Sequence, residues 1–323
     1  MVSRTQLRLL AVGATTALGM AALSWQKYEK RDHDLSFHPS EGTLVDAARS
    51  LDRGAGLLAT SVALDSAMEH YRGDFQNRAM YTPLITSMLS LLASGQGQQA
   101  PTAIASKVRT PLYLLVGLTG LMGTGFHLYN VSKRPGGVGW SNLFYGAPLG
   151  APSALVLSGL LGYYAESLRN ASGDVVPRVF GLPAGKSVAL MAAGGLIGST
   201  AEAALLHFRG SFQNPAMYLP VTAPPLAAGL LAVSALTSPH RRRLRWLSRL
   251  ALRFTAIMGF AGAGFHAFGI ARNNGGWRNW RQNLQAGPPL PAPPSFTGLA
   301  LAGLVAHSLL DEERELAQYR WWK

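Results

Sequence analysis

Four histidines stand in a repeated frame. His70 and His207 each open a fourteen-residue block, HYRGDFQNRAMYTP and HFRGSFQNPAMYLP, and ten of the fourteen positions are identical. His127 and His266 each close the pattern G-x-x-G-x-G-F-H. A neutral imidazole nitrogen is a common metal ligand, and imidazole is the side chain whose ordinary titration falls between pH 5 and 8. The chain contains no cysteine, which excludes disulfides, thiolate metal sites, iron–sulfur clusters and covalently attached haem. Metal or haem chemistry therefore falls to His, Met, carboxylate or Tyr. Two arrangements suit the four histidines: ligand pairs, His70 with His127 and His207 with His266, or all four around one metal ion. Against ligation stands a simpler reading of His70 and His207 as helix-end residues that favour the negative end of the helix dipole.

Gly120 and Gly123 lie seven and four residues before His127, and Gly259 and Gly262 hold the same places before His266. On a helix those positions share a face with the histidine. A side-chain-free strip of this kind suits the flat face of haem b, or it lets two membrane helices pack closely. The polar block F-Q-N-x-A-M-Y-x-P supplies Gln76, Asn77, Gln213 and Asn214 as helix caps, or as the lining of a quinone pocket.

Four further positions suit proton transfer. Asp65 and Glu202 lie five residues before His70 and His207, about 140° round a helix, so neither orients the histidine of its own helix. Acids at membrane depth are costly and are usually paired or functional. Glu166 aligns with His307 and completes the set.

These residues must be positioned by membrane helices. Only 14% of residues are charged while 48% are hydrophobic, and the net charge is +13; soluble domains carry about 25% charged residues. The basic excess is split into short stretches between apolar runs, which argues against nucleic acid as a partner. Runs near the ~20 residues needed for a span occur at 54–71, 79–95, 110–131, 148–168, 187–207, 216–237, 250–271 and 295–310, with a ninth at 7–25. The expected fold is thus an all-α integral membrane protein of eight or nine spans.

A third matched block pairs Asn142, Leu143, Gly146, Pro148 and Pro152 with Asn283, Leu284, Gly287, Pro289 and Pro293. The blocks together predict a tandem duplication with four helices per copy, and an even number makes the copies parallel. The corresponding units are an N-terminal helix and polar segment (1–53), repeat one (54–169), a linker (170–186), repeat two (187–310) and an amphipathic tail (311–323). Alternation places all four histidines at one membrane face. Arg241, Arg242, Arg243, Arg245 and Arg249 mark the opposite face as cytoplasmic by the positive-inside bias, which makes the histidine side extracytoplasmic; Arg4 and Arg8 argue the other way if 7–25 spans.

The functional expectation is a multi-pass redox or anchoring subunit of the cell membrane. Its histidine layer binds haem b or quinone, its short loops dock an extracytoplasmic protein partner, and it has no catalytic activity of its own. The alternatives are a small proton-coupled transporter or channel, which the paired acids and Pro83, Pro220, Pro224 and Pro225 would suit, and a purely structural scaffold. The segment GLPAGKS at 181–187 lacks the first half of a phosphate-binding loop and precedes an apolar run.

Overall fold

The computed structural model describes residues 41–99, 106–171, 177–237 and 241–321. The apolar run at 7–25, Trp322 and Lys323 lie outside them. Every one of the other eight apolar runs lies largely within a helix. In chain order the helices are α1 (Glu41–Arg72), α2 (Thr82–Gln99), α3 (Ser106–Ser132), the short α4 (Trp140–Tyr145), α5 (Gly150–Arg169), α6 (Ala184–Arg209), α7 (Leu219–Leu236), α8 (Arg242–Arg272), the short α9 (Trp280–Ala286) and α10 (Pro294–Trp321). Between α5 and α6 the chain makes a two-residue antiparallel hairpin, β1 (Arg178–Val179) and β2 (Leu182–Pro183), with Arg178 opposite Pro183. Its turn places Phe180 and Gly181 at positive φ, and the Phe180 ring stacks on Tyr163.

Among the described residues, four helical segments are long and apolar enough to cross a membrane: Lys107–Ser132, Ala184–Arg209, Pro215–Leu236 and Arg242–Arg272. The remaining long helices fall short for physical reasons. Helix α1 carries Asp46, Arg49, Asp52, Asp65 and Glu69, α2 has only 18 residues rich in Ser, Gly and Gln, and α5 is diluted by Gly, Ser, Pro and Tyr. Of these, α1 and α5 bury much of their surface in the core, so they need less lipid-soluble surface. The polar segment expected up to residue 53 ends differently: Glu41 to Arg53 forms the first turns of α1, with Leu44, Ala47 and Leu51 buried in the core. Likewise α10 runs past residue 310, and Asp311 and Glu313 bond to other helices.

The core lies between four central helices, α1, α5, α6 and α10. Helix α1 packs on α5 and α10, and α6 packs on α10 and α5. Where α1 crosses α10, Gly54 meets the Gly298 carbonyl so closely that a Cβ would stand 3.0 Å from its oxygen, the small-residue contact that membrane helices use to approach. Helices α2 and α3 flank one side of this layer and α7 and α8 the other. Their outer faces expose large apolar side chains, among them Ile85, Met122, Leu226 and Phe260. An apolar surface this extensive is costly in water and suits lipid.

Candidate functional site

At His70 and His207 helix one of each half ends in the same way. The backbone N–H of Phe75 donates to the His70 carbonyl at 3.0 Å, and that of Phe212 to the His207 carbonyl at 3.1 Å. To close this turn, Asp74 and Phe75 adopt φ of 53° and 47°, and Ser211 and Phe212 adopt 55° and 45°. Consecutive non-glycine residues in the left-handed region are strained by about 1–2 kcal/mol each. The strain delivers an aromatic stack: Phe75 lies on Tyr81 at 4.5 Å and meets the His70 ring edge-on at 6.1 Å, while Phe212 lies on Tyr218 at 4.6 Å and meets His207 at 6.2 Å. A 3-10 turn follows, capped by the Asn77 side chain on the Ala79 N–H and by Asn214 on the Ala216 N–H, each at 2.9 Å.

These turns fix the imidazoles. Nδ1 of His70 bonds to the Met80 carbonyl at 2.6 Å, and Nδ1 of His207 to the Met217 carbonyl at 2.8 Å. Nδ1 of His127 bonds to the Pro148 carbonyl, and Nδ1 of His266 to the Pro289 carbonyl at 2.6 Å. A carbonyl only accepts, so Nδ1 carries the hydrogen in all four, and in the neutral ring Nε2 holds the free lone pair. None of the four Nε2 atoms has a hydrogen-bond partner among the described residues. Backbone carbonyls that hold Nδ1–H are the usual outer partners of metal-bound histidines, fixing both tautomer and ring direction.

The histidines also lie within electrostatic range of one another, two and two: His70 with His127, and His207 with His266. In each half they come from helices one and three, which lie across the four-helix group from one another. All four collect at one end of the bundle, where the halves interlock reciprocally. Arg281 of α9 donates to the Tyr71 hydroxyl at 2.6 Å, while Arg209 at the end of α6 lies over the Phe144 ring of α4 at 4.8 Å.

The glycine strips serve another purpose than a cofactor wall. A Cβ on Gly120 would stand 2.6 Å from the Val156 backbone nitrogen, and one on Gly259 would stand 2.8 Å from the Pro293 carbonyl. Gly123 and Gly262 face Pro152 and Pro293. These four glycines therefore seat helix three against helix four in each half, leaving the cofactor reading to the histidines alone. The gathering of all four histidines about one metal is not seen either: among the described residues no group of three or more His, Asp or Glu comes together to hold an ion.

The carboxylates separate by role. Glu202 accepts the Gly150 N–H at the start of α5, capping a helix of the other half. Asp65 lies near enough to Glu202 and Glu69 to feel their charge. Glu166 is far from them, at the opposite end, where it accepts from Arg109 Nε at 2.8 Å and Nη2 at 3.0 Å and also pairs with Arg169. Arg169 continues to Asp52, which takes the Tyr113 hydroxyl at 3.0 Å. With its oxygens held by two guanidiniums, Glu166 is a structural ion-network member and not a free proton carrier. His307, fully buried, pairs its Nε2 with the Ser248 hydroxyl at 2.8 Å, and its Nδ1 has no partner among the described residues.

Set against known protein families, curated proteins and solved structures, the chain shows no match. The reading of the site rests on its geometry.

Sequence reasoning selected the four histidines but missed their carbonyl partners. Met80, Met217, Pro148 and Pro289 all lie inside the matched blocks, so the signal was the recurrence itself. The network of Asp52, Arg109, Tyr113, Glu166 and Arg169 gave no such signal, because apart from the local Glu166–Arg169 pair its bonds join residues 57 to 117 positions apart.

Proposed function

We propose that this chain is a multi-pass subunit of a membrane redox system, built as two parallel four-helix repeats with eight spans, or nine if residues 7–25 cross. In this reading each repeat holds one b-type haem between a histidine pair, His70 with His127 and His207 with His266. The observation that carries it is the shared state of the imidazoles: four Nδ1 atoms bonded to backbone carbonyls, four Nε2 atoms without partners, grouped two and two. A haem held by such a pair of imidazoles would supply one-electron transfer. The protein's part is to orient the rings through Met80, Pro148, Met217 and Pro289, and to shield them with Phe75 and Phe212.

The recurrence of these bonds in both halves supports the duplication. The exposed apolar faces of the outer helices support a lipid surround. On the histidine side, the exposed rings of Trp140, Trp277 and Trp280 suit the headgroup region, and the loops between them are where an extracytoplasmic redox partner would dock. Quinone is the second ligand class for the same layer, since Nε2 can accept a hydrogen bond from a quinol hydroxyl.

The test is an absorption spectrum of the purified protein, oxidised and dithionite-reduced. A Soret band that shifts on reduction, with sharpened visible bands, is expected. A protein without a Soret band and without bound iron would sink the haem reading. Quinone retained through purification and lost in His127→Ala would then carry the site.

A further inference from the structure

Away from the histidines, at the other end of the second half, three helices bring together a cluster of arginines. Asp311 of α10 takes Arg245 Nη1 of α8 at 2.8 Å, Arg249 of α8, and Arg314 Nη1 of its own helix at 3.5 Å. Arg314 Nη2 reaches on to the Ser234 carbonyl of α7 at 3.0 Å. The guanidiniums are largely buried, with side-chain exposures of 12%, 11% and 16%. Around them, among the described residues, lie buried hydrogen-bonding atoms without partners: Nδ1 of His307, Oγ of Ser234 and Nε of Arg245. His307 is 0% exposed and Ser234 1%. Buried polar atoms are nearly always satisfied, and orphans mark a missing ligand or water.

Charge points the same way. Arg241, Arg242 and Arg243 stand at the start of α8, all exposed, so in sequence six arginines stand at this corner against the four acids Asp311, Glu312, Glu313 and Glu315. Of the four, Glu313 is engaged by the Gly185 N–H at 2.5 Å. Three guanidiniums gathered round one carboxylate between helices, at the end of two segments apolar enough to span a bilayer, suit an anionic headgroup. The apolar surface of α7 beside it, Val233 and Leu236, is exposed and gives acyl chains a path along the helix.

We infer that the Arg245/Arg249/Arg314 pocket is a binding site for the phosphate of an anionic phospholipid. The same chemistry would accept free inorganic phosphate, and the apolar flank is what favours the lipid. The experiment uses the full chain in phosphatidylcholine nanodiscs, with phosphatidylglycerol added in steps and retained lipid counted by native mass spectrometry. Phosphatidylglycerol should be retained in preference to phosphatidylcholine, and Arg245→Gln with Arg314→Gln should weaken its retention by about tenfold or more. Arg78→Gln with Arg134→Gln, at the histidine end, should leave it unchanged. Because Arg245 and Arg314 also hold Asp311, the wild-type competition is the arm independent of folding. Equal retention of the two lipids there overturns the site, and displacement of phosphatidylglycerol by millimolar inorganic phosphate overturns its assignment to lipid.

Discussion

The two ends of the bundle treat the two halves of the chain in opposite ways. At the histidine end the halves agree in four features: the strained turn, the Phe–Tyr stack, the Asn cap and the Nδ1–carbonyl bond all recur. At the other end they diverge. Asp52, Arg109, Tyr113, Glu166 and Arg169 of the first half align with Ala189, Ser248, Leu252, His307 and Leu310 of the second. At these five positions an ion network in one half is matched by three apolar residues and one histidine–serine bond in the other, while the second half's own ion cluster about Asp311 is built from different positions. Helix packing therefore tolerates two unlike solutions at one end. Packing alone does not demand identity, and the identity kept at the histidine end is what the proposed ligand layer is meant to explain.

Breaking the ion network should have the largest effect. Glu166→Ala strands Arg109 and Arg169 in the core and should cost about 3–5 kcal/mol, visible as a large fall in thermal midpoint in detergent. Giving the first half the second half's residues at all five positions should cost less than Glu166→Ala alone, because apolar replacement of a buried ion network is often near neutral. A larger loss in the fivefold variant would mean that the two ends are not interchangeable solutions.

Next come the glycines, where the halves should respond alike. Gly120→Ala and Gly259→Ala drive a methyl into helix-four backbone and should each cost about 1–3 kcal/mol. Gly125→Ala and Gly264→Ala point into open space and should stabilise by up to about 1 kcal/mol through helix propensity. Unequal responses between the halves would separate two sites that the geometry makes equivalent. In the second half, Ser248→Ala alone removes the partner of buried His307 and should cost about 1–3 kcal/mol, whereas Ser248→Ala with His307→Leu should recover most of it.

The smallest effect concerns pH. Burial pushes the Glu313 carboxyl up from 4.5 to about 6, against the opposing pull of the Gly185 N–H and Arg314. The folded state therefore binds the proton more tightly than the unfolded chain. Its contribution favours folding at low pH and is lost as pH rises from about 4.5 through 6. The side chain is partly exposed, so Glu313→Gln should differ from wild type by less than about 1 kcal/mol across that window. The wild-type midpoint should fall relative to the variant as pH rises; a rise would reverse the assignment.

What the sequence revealed follows from range. Helices were legible because apolar runs are local, although where α1 and α10 begin and end was not, since their polar turns pack on other helices and carry no apolar signal. The histidines were legible because recurrence marked them. The left-handed residues were not, because Asp74, Phe75, Ser211 and Phe212 are not the glycines that normally announce such a turn. The ion network and the arginine pocket were invisible for a third reason: their partners are brought together only by helix packing.

The central claim is that each half of the chain holds its own histidine pair, and haem stoichiometry tests it most directly. The bound haem of purified wild type, His127→Ala, His266→Ala and the double variant should be measured as haemochrome per chain. The account predicts about two haems in wild type, one in each single variant and none in the double. Wild-type protein without haem, or a single variant that loses all of it, would contradict it.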